Sequence, residues 1–349
     1  MNVGIVGAGN MSTHHAKAYH ACGAQIAAVC DISEATYLAR KEHFGDAKYF
    51  SSYDEMFAGD TIDAVSICVG TRFHFDIVAA AVKRGKHVLC EKTMTESAER
   101  SAELVKLVDQ SGVNFQIGYM KRYFPATIKV TELIPSLGEI FSAHIRSYQG
   151  HEGVHGAEMY DKDSWKPLNG KMSPTKAYAC GGILNMAGSH MLDLLHLFLG
   201  EPATVYSANW SPAAYDAEMS GNALITMASG AVAHLDACVS PYSRTGTWND
   251  GWDECIALHG KLGKLEVFYP MWDRPENNAP LVIHYDEPSQ TTTTLTFPKV
   301  NAFNAQVAAF VANCESGTPS NPGVRDGYVV DSILSACYES AASGQAVKI

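Results

Sequence analysis

Short apolar segments alternate with helical segments along the first third of the chain. Phe75–Arg84 and Ser97–Ser111 carry apolar residues at the spacing of an amphipathic helix. The apolar segments are strand-like runs, typical of strands buried on both faces of a parallel sheet. They are Val3–Val6, Ile26–Cys30, Ala64–Val69 and His87–Cys90. This alternation predicts a βαβ domain with a parallel sheet over residues 1–120.

The pattern changes after Tyr119, where longer segments of alternating apolar and polar residues are joined by turns such as Ser229-Gly230. The chain then returns to helical spacing near Phe303 and again near Val330. We therefore predict a second, mostly antiparallel α/β domain over residues 121–349. Its predicted strands lie within Glu139–Tyr148, Ala203–Trp210, Asn222–Ala228, Ala231–Val239, Cys255–His259 and Lys264–Phe268.

Composition argues against several functional classes. A net charge of −11 and a pI near 5.7 provide no basic surface for nucleic acid or anionic membranes. Nine cysteines without a CxxC pair argue against a disulfide framework or a zinc knuckle. No signal-like segment precedes the first strand, and no apolar run is long enough to span a membrane. We expect a cytoplasmic protein that binds neither nucleic acid nor membranes.

The first strand leads into a glycine-rich loop, Gly7–Ser12, which is followed by a helix and a second strand that ends at Asp31. Gly7 permits a tight turn, Gly9 lets backbone N–H groups approach a pyrophosphate, and Asp31 can accept hydrogen bonds from ribose hydroxyls. A glycine-rich turn without a ligand is the alternative, but the complete order of elements favours dinucleotide binding. The loop residues expected to hold the dinucleotide are Gly7, Gly9, Asn10 and Met11.

The same region of the sequence discriminates between the two nicotinamide cofactors. A carboxylate at Asp31 accepts from a free 2′-hydroxyl and repels a 2′-phosphate. The next three residues, Ile32-Ser33-Glu34, contain no arginine to receive that phosphate. The sequence therefore predicts NAD as the cofactor.

Two further segments place ionisable groups where catalysis is expected. Glu91-Lys92 directly follows an apolar strand, at the carboxyl edge of a parallel sheet where α/β proteins bind ligands. A lysine there can lie beside the nicotinamide. Much later, Gly181-Gly182 opens a helix that carries His190 and Asp193 on an otherwise apolar stripe.

Together these motifs resemble the Gfo/Idh/MocA oxidoreductases, the family of glucose–fructose oxidoreductase and inositol dehydrogenase. The resemblance extends over essentially the whole chain. Its features are the Gly7–Ser12 loop followed by His15, the His74 segment, Gly85–Val88 leading to Glu91-Lys92, Gly118–Tyr123, Trp165-Lys166, the segment from Gly181 to Asp193, and the ending Tyr338–Gly344.

The resemblance implies an N-terminal Rossmann domain and a C-terminal α/β domain with an open mixed sheet, with helices 303–342 packing near the domain interface. It implies NAD(P)-dependent oxidation or reduction at a carbon of a sugar, sugar derivative or cyclitol. It also implies a homodimer or homotetramer formed through the C-terminal sheet. A redox-assisted glycosidase that holds NAD tightly is the alternative activity. A non-catalytic dinucleotide sensor is a third possibility, against which Lys92 and His190 argue.

The resemblance also implies the residues of the site. We expect His190 to accept the substrate proton and Lys92 to orient the reacting oxygen, with these roles exchangeable. The chain has Met186 where many relatives have Asp or Asn, so Asp193 is the expected acidic neighbour of His190. Val69, His74, Glu91 and Lys92 are expected to contribute to the cofactor site. The residues expected to contact substrate are Tyr119, Lys121, Arg122, Trp165, Asn185 and His190.

One motif suggests a competing chemistry. The segment 151–155 reads HEGVH, which satisfies the zinc-protease pattern HExxH. Flanking glycines disfavour the helix that this pattern needs, so we predict no metal. The long loop 151–180 and two tryptophans, Trp248 and Trp252, are candidates for substrate selection, because loops of this length are usually functional and indole rings can stack on a sugar. An oligomer interface is the alternative role for the tryptophans.

Overall fold

The computed structural model describes residues 1–150, 181–211, 217–240, 242 and 244–349. Two compact units account for the chain. The first comprises residues 1–120 and 302–331, and the second comprises 121–301 and 332–349. Residues 302–331 therefore belong with the first unit, whereas the sequence pattern assigned everything after residue 120 to one domain.

The first unit is built on a six-stranded parallel sheet with the strand order β3-β2-β1-β4-β5-β6. The strands are β1 (Asn2–Val6), β2 (Gln25–Cys30), β3 (Lys48–Phe50), β4 (Ala64–Ile67), β5 (His87–Cys90) and β6 (Phe115–Ile117). The helices are α1 (Asn10–Ala21), α2 (Glu34–Leu38), α3 (Tyr53–Ala58), α4 (His74–Lys83) and α5 (Ala98–Asp109). This order reverses between β1 and β4, which is where doubly wound sheets bind nucleotides.

Burial explains the apolar runs of the central strands. Val3, Ile5 and Val65 have no exposed surface, as expected for strands covered by helices on both faces. A later helix, α8 (Ala302–Ser316), packs against α1. It buries Phe303 in this contact, which is why the segment joins the first unit.

The second unit contains a nine-stranded sheet with the order β14-β13-β12-β11-β7-β10-β9-β8-β15. Among the strands described here, β7 and β10 form the only parallel pair in this sheet. The sheet is therefore mixed and mostly antiparallel, as predicted. The strands are β7 (Ile140–Gln149), β8 (Pro202–Trp210), β9 (Ser220–Met227), β10 (Val232–Val239), β11 (Trp252–Gly260), β12 (Gly263–Tyr269), β13 (Leu281–Asp286), β14 (Thr291–Thr296) and β15 (Val347–Lys348).

Helices lie against one face of this sheet. They are α6 (Pro125–Leu133), α7 (Ser189–Leu199) and the last part of α9 (Val324–Ser343). The residues of β10 alternate between buried and more exposed positions, which is the pattern of a sheet with one covered face. Tyr206, Trp210 and Leu224 are exposed on neighbouring strands. Within the described residues, no helix is long and apolar enough to cross a membrane.

Candidate functional site

The glycine-rich loop has the geometry of an anion-binding turn. Gly7 has a φ of +93°, and a Cβ there would lie 2.6 Å from the carbonyl oxygen of Cys68. Gly9 caps α1 without a side-chain hydrogen bond, a Cβ there would meet open space, and the first turn contains no acidic residue. The helix N-terminus therefore presents its N–H groups to an anion, which is what a pyrophosphate requires.

Asp31 lies at the end of β2 beside this loop. Its Oδ2 accepts from the backbone N–H of Ala8 at 2.7 Å, and its Oδ1 accepts from the N–H of Ser33 at 2.8 Å. An ionised carboxylate offers about four acceptor positions, so two remain for hydroxyl donors. The position and charge of Asp31 fit the ribose of NAD.

Glu91 and Lys92 follow β5 at the carboxyl edge of the same sheet. The Oε1 atom of Glu91 lies 2.8 Å from Nε2 of His15, and its Oε2 accepts from the Lys92 backbone N–H at 3.2 Å. Burial would raise the pKa of Glu91, but the hydrogen bond and charge of His15 lower it. His15, which the sequence analysis used only as a family feature, is therefore the ionic partner of Glu91.

His74 connects two loops of the first unit. Its fully buried ring places Nδ1 2.8 Å from the Thr93 carbonyl oxygen and Nε2 3.0 Å from that of Val69. Burial lowers the pKa of His74 more than these two carbonyls raise it. The ring therefore holds the loops on either side of it, and its predicted contribution to the cofactor site stays a prediction.

The two glycines before the His190 helix are required by close packing. A Cβ at Gly182 would lie 2.1 Å from the carbonyl oxygen of Glu218, and a Cβ at Gly181 would lie 2.1 Å from the hydroxyl of Tyr338. The Glu218 carboxylate accepts from the N–H groups of Gly182 and Leu184 and from the Tyr338 hydroxyl. Burial raises the pKa of Glu218. The sequence analysis missed this carboxylate, which caps the start of the helix.

The helix then contains a π-helical turn, Leu184–Gly188, before α7 begins at Ser189. π-Helical turns are rare in proteins, and those that occur are often found at functional sites. Asn185 and His190 are 6% and 8% exposed. Both side chains therefore lie in the core-facing part of this segment with only their edges accessible.

Asp193 has a partner that the sequence analysis did not predict. Both of its carboxylate oxygens accept from the Arg122 guanidinium, at distances of 2.7 to 3.0 Å. Both side chains are buried. A bidentate pair of this kind fixes both groups in place. Asp193 and Arg122 are therefore an ion pair, and their predicted roles in catalysis and substrate contact stay predictions.

Lys121 is also buried, contrary to its expected role in substrate binding. Its ammonium group forms an ion pair with Glu254 and lies over the rings of Trp252 and Tyr269. Trp252 is 1% exposed, and its indole N–H donates to Glu254 at 2.8 Å. The expectation that Trp252 stacks on a sugar is therefore wrong. Tyr119 is fully buried as well.

Three further predictions concern Trp248, Trp165 and the HExxH segment. Trp248 is partly exposed in the segment before β11. Trp165 and the HExxH segment at 151–155 lie outside the described residues. Among the residues that the structure does describe, no group of three or more His, Cys, Asp or Glu side chains is arranged to hold a metal ion.

Asp331 anchors the segment that follows Lys92. Its buried carboxylate accepts from the Thr95 N–H at 2.8 Å and the Ser101 hydroxyl at 2.6 Å, while Oδ1 has no partner among the described residues. Burial raises the pKa of Asp331 to about 7, and the charge of Glu96 adds to the rise. Below about pH 7 the protonated acid is therefore favoured in the folded state.

This pKa predicts a pH-dependent stability. The stabilisation from Asp331 is complete below its unfolded pKa of 3.8 and is lost as the pH rises through about 7. Asp331→Asn stays neutral, so it should gain stability over the parent protein across this range, by up to about 4 kcal/mol. Urea unfolding at several pH values measures the difference. Glu339→Gln, an exposed change on the same helix, is the control. Parallel pH profiles for Asp331→Asn and the parent would refute the assignment.

The chain matches known proteins over nearly its full length. Residues 1–119 match the family model described as "Oxidoreductase family, NAD-binding Rossmann fold", and residues 132–349 match "Oxidoreductase family, C-terminal alpha/beta domain". A D-xylose 1-dehydrogenase (NADP(+)) of Haloferax volcanii is 28% identical, with 100% of both chains covered. A D-glucoside 3-dehydrogenase of Escherichia coli is 25% identical, covering 100% of this chain and 97% of the relative.

Solved structures share the fold. A levoglucosan dehydrogenase in complex with NADH and levoglucosan aligns with a TM-score of 0.84 at 19% identity. The alignment covers 100% of this chain and 99% of that one. At this identity the match concerns the architecture of the chain.

Proposed function

Because the chain belongs to the Gfo/Idh/MocA oxidoreductase family, whose N-terminal domain binds NAD, we propose that it transfers a hydride between a sugar or cyclitol and nicotinamide. The reacting group is a secondary alcohol or the corresponding ketone. One observation carries the proposal: Lys92 follows β5 at the same carboxyl edge of the sheet as the anion-binding loop after β1. An ionisable amine is thereby held on the nucleotide-binding edge.

The residues of the chain supply binding and proton transfer. When bound, the oxidised cofactor would supply the hydride acceptor for alcohol oxidation, and NADH would supply the donor for ketone reduction. The N-terminus of α1 and Asp31 hold the dinucleotide, and Lys92 stabilises the charge that develops on the substrate oxygen. His190 exchanges the proton of the hydroxyl group, since an imidazole has its ordinary pKa close to neutrality.

The relatives support a proposal for the substrate class. D-Xylose, D-glucosides and levoglucosan, which appear in the names of the matched proteins, all carry secondary hydroxyl groups. We propose that this chain acts on a carbohydrate or cyclitol of this kind. We also propose that the open face of the second unit's sheet, where Tyr206, Trp210 and Leu224 are exposed, forms a homodimer or homotetramer.

Product analysis tests the reaction class. The protein is incubated with NAD and a panel of sugars, cyclitols and glycosides, and both NADH and carbohydrate products are quantified. The proposal expects one ketone or lactone formed for each NADH. Cleavage of a glycoside without net NADH would instead identify the redox-assisted glycosidase.

Asp31 predicts the cofactor preference. NAD should bind at least about tenfold more tightly than NADP, because the carboxylate accepts from a ribose hydroxyl and repels a phosphate. Calorimetric titration gives both dissociation constants. Asp31→Ser retains a hydrogen-bond acceptor without the charge, so it should reduce the ratio of the NADP to the NAD dissociation constant. The control Asp63→Ser, at the opposite end of the sheet, should leave this ratio unchanged. Equal affinities in the parent protein would show that Asp31 does not discriminate.

A further inference from the structure

A chain of buried hydrogen bonds runs from α1 to Glu91. The Tyr19 hydroxyl lies 2.7 Å from Oγ of Ser66, which in turn lies 3.1 Å from Nδ1 of His15. Nε2 of His15 lies 2.8 Å from Glu91. Tyr19, Ser66 and His15 have no exposed surface, so the chain is sealed from solvent up to the carboxylate beside Lys92.

His15 and Glu91 form a pair of opposite charges. Burial alone would lower the pKa of His15, but the neighbouring Cys68 and Glu91 side chains raise it to about 10. The same contact lowers the pKa of Glu91. The imidazolium and the carboxylate thus stabilise each other in a site that would otherwise neutralise both.

The Glu91 carboxylate has little freedom to move. Its Oε1 contacts His15, while its Oε2 accepts from the Lys92 N–H. A Cβ at Gly118 would lie 3.2 Å from both Cα and Cδ of Glu91. The carboxylate is therefore enclosed by His15 on one side and the chain at Gly118 on another.

Four other titratable groups interact with Glu91. Of these, Lys92 is the one expected to carry a positive charge at neutral pH. These groups are His14, His74, Cys90 and Lys92. Burial lowers the pKa values of His14 and His74, which favours the neutral rings, and it raises that of Cys90, which favours the thiol. His15 is thus the charge that balances Glu91 apart from Lys92 itself.

We propose that His15 is a positioning residue for the reaction: its charge cancels that of Glu91, which lets the Lys92 amine release a proton more readily than it would beside an unbalanced carboxylate. This inference rests on the proposed function, in which Lys92 serves the reacting oxygen. The hydrogen bond from His15 also fixes the carboxylate that holds the Lys92 backbone. His15 acts through Glu91 and does not itself touch the reacting atoms.

Amine labelling across a pH series tests the proposal on the NAD-loaded protein. His15→Gln keeps an N–H donor but loses the charge, so the midpoint for labelling Lys92, read by mass spectrometry, should rise by about one pH unit. The acidic limb of kcat/KM should move with it. Tyr19→Phe, which removes the far end of the same buried chain without changing charge, should leave both midpoints in place. The double variant His15→Gln/Glu91→Gln should return the labelling midpoint toward that of the parent.

An unchanged labelling midpoint in folded His15→Gln would overturn the proposal and leave His15 a packing residue. If that variant does not fold, NMR of isotopically labelled histidine in the parent protein decides. His15 should stay protonated well above its ordinary value of 6.5, because the pKa of the ring is raised beside Glu91, and titration near 6.5 would overturn the proposal. Labelling reports on the Lys92 amine without turnover. A shifted midpoint together with an active Lys92→Ala variant would therefore support this inference while refuting the proposed function.

Discussion

Replacing Lys92 by alanine is expected to lower turnover by about 10²-fold or more while the affinity for NAD changes little. A positioned group that stabilises charge or moves a proton at the reacting oxygen contributes roughly this much to the chemical step. His190→Ala should cause a loss of similar size. Because the proposed mechanism has both residues act on one oxygen, it expects the double variant to lose less than the product of the two single losses.

The variant Lys92→Arg separates the two roles of the amine. It keeps the positive charge but cannot give up its proton. Lys83→Ala, at an exposed position on α4, controls for the loss of a lysine from the same unit. Steady-state kinetics and NAD titration measure each variant. Near-normal turnover in Lys92→Ala or His190→Ala would remove that residue from the mechanism.

Lys121→Met is expected to destabilise the second unit by about 3 to 5 kcal/mol, because it leaves the Glu254 carboxylate buried without its cation. Both side chains of this pair are fully buried. Glu254 also accepts from Trp252 and from the Ser147 hydroxyl. These donors partly compensate the carboxylate, but neither carries a charge.

The double variant Lys121→Met/Glu254→Gln should recover most of the lost stability, since no buried charge remains and the amide can still accept from Trp252. Lys261→Met breaks an exposed ion pair with Glu139 and should leave the unfolding midpoint nearly unchanged. Urea unfolding of the four proteins gives the comparison. A Lys121→Met protein as stable as the parent would show that the buried pair contributes nothing to the fold.

Local patterns predicted four of the six strands in the parallel sheet of the first unit. The predicted strand His87–Cys90 has the observed bounds of β5, and the segment predicted as a helix over 75–84 forms α4 at 74–83. Gly7 also has the positive φ that the sequence predicted for a tight turn, because only glycine adopts this conformation readily and fits beside Cys68. Apolar periodicity indicates which face of a helix is buried but not which partner covers it, so the packing of α8 on α1 was not predictable.

The candidate site was harder to predict because its buried charges pair over long distances. Lys121 is 133 residues from Glu254, and Arg122 is 71 residues from Asp193. A polar cluster after a strand looks the same in sequence whether it binds substrate or pairs within the core. Only the positions of the distant carboxylates distinguish substrate binding from pairing in the core. The contact of Glu218 with Gly182 was not predictable for the same reason, since 36 residues separate them.

Isotope transfer tests the central claim most directly. A sugar or cyclitol that reduces NAD in the product screen is prepared with deuterium on the oxidised carbon and incubated with the protein and NAD. The account predicts that the deuterium appears in NADH, one for each ketone or lactone formed, and that Lys92→Ala slows the transfer by about 10²-fold. Product formation with no deuterium in the nicotinamide, or with full transfer by Lys92→Ala at the parent's rate, would contradict the account.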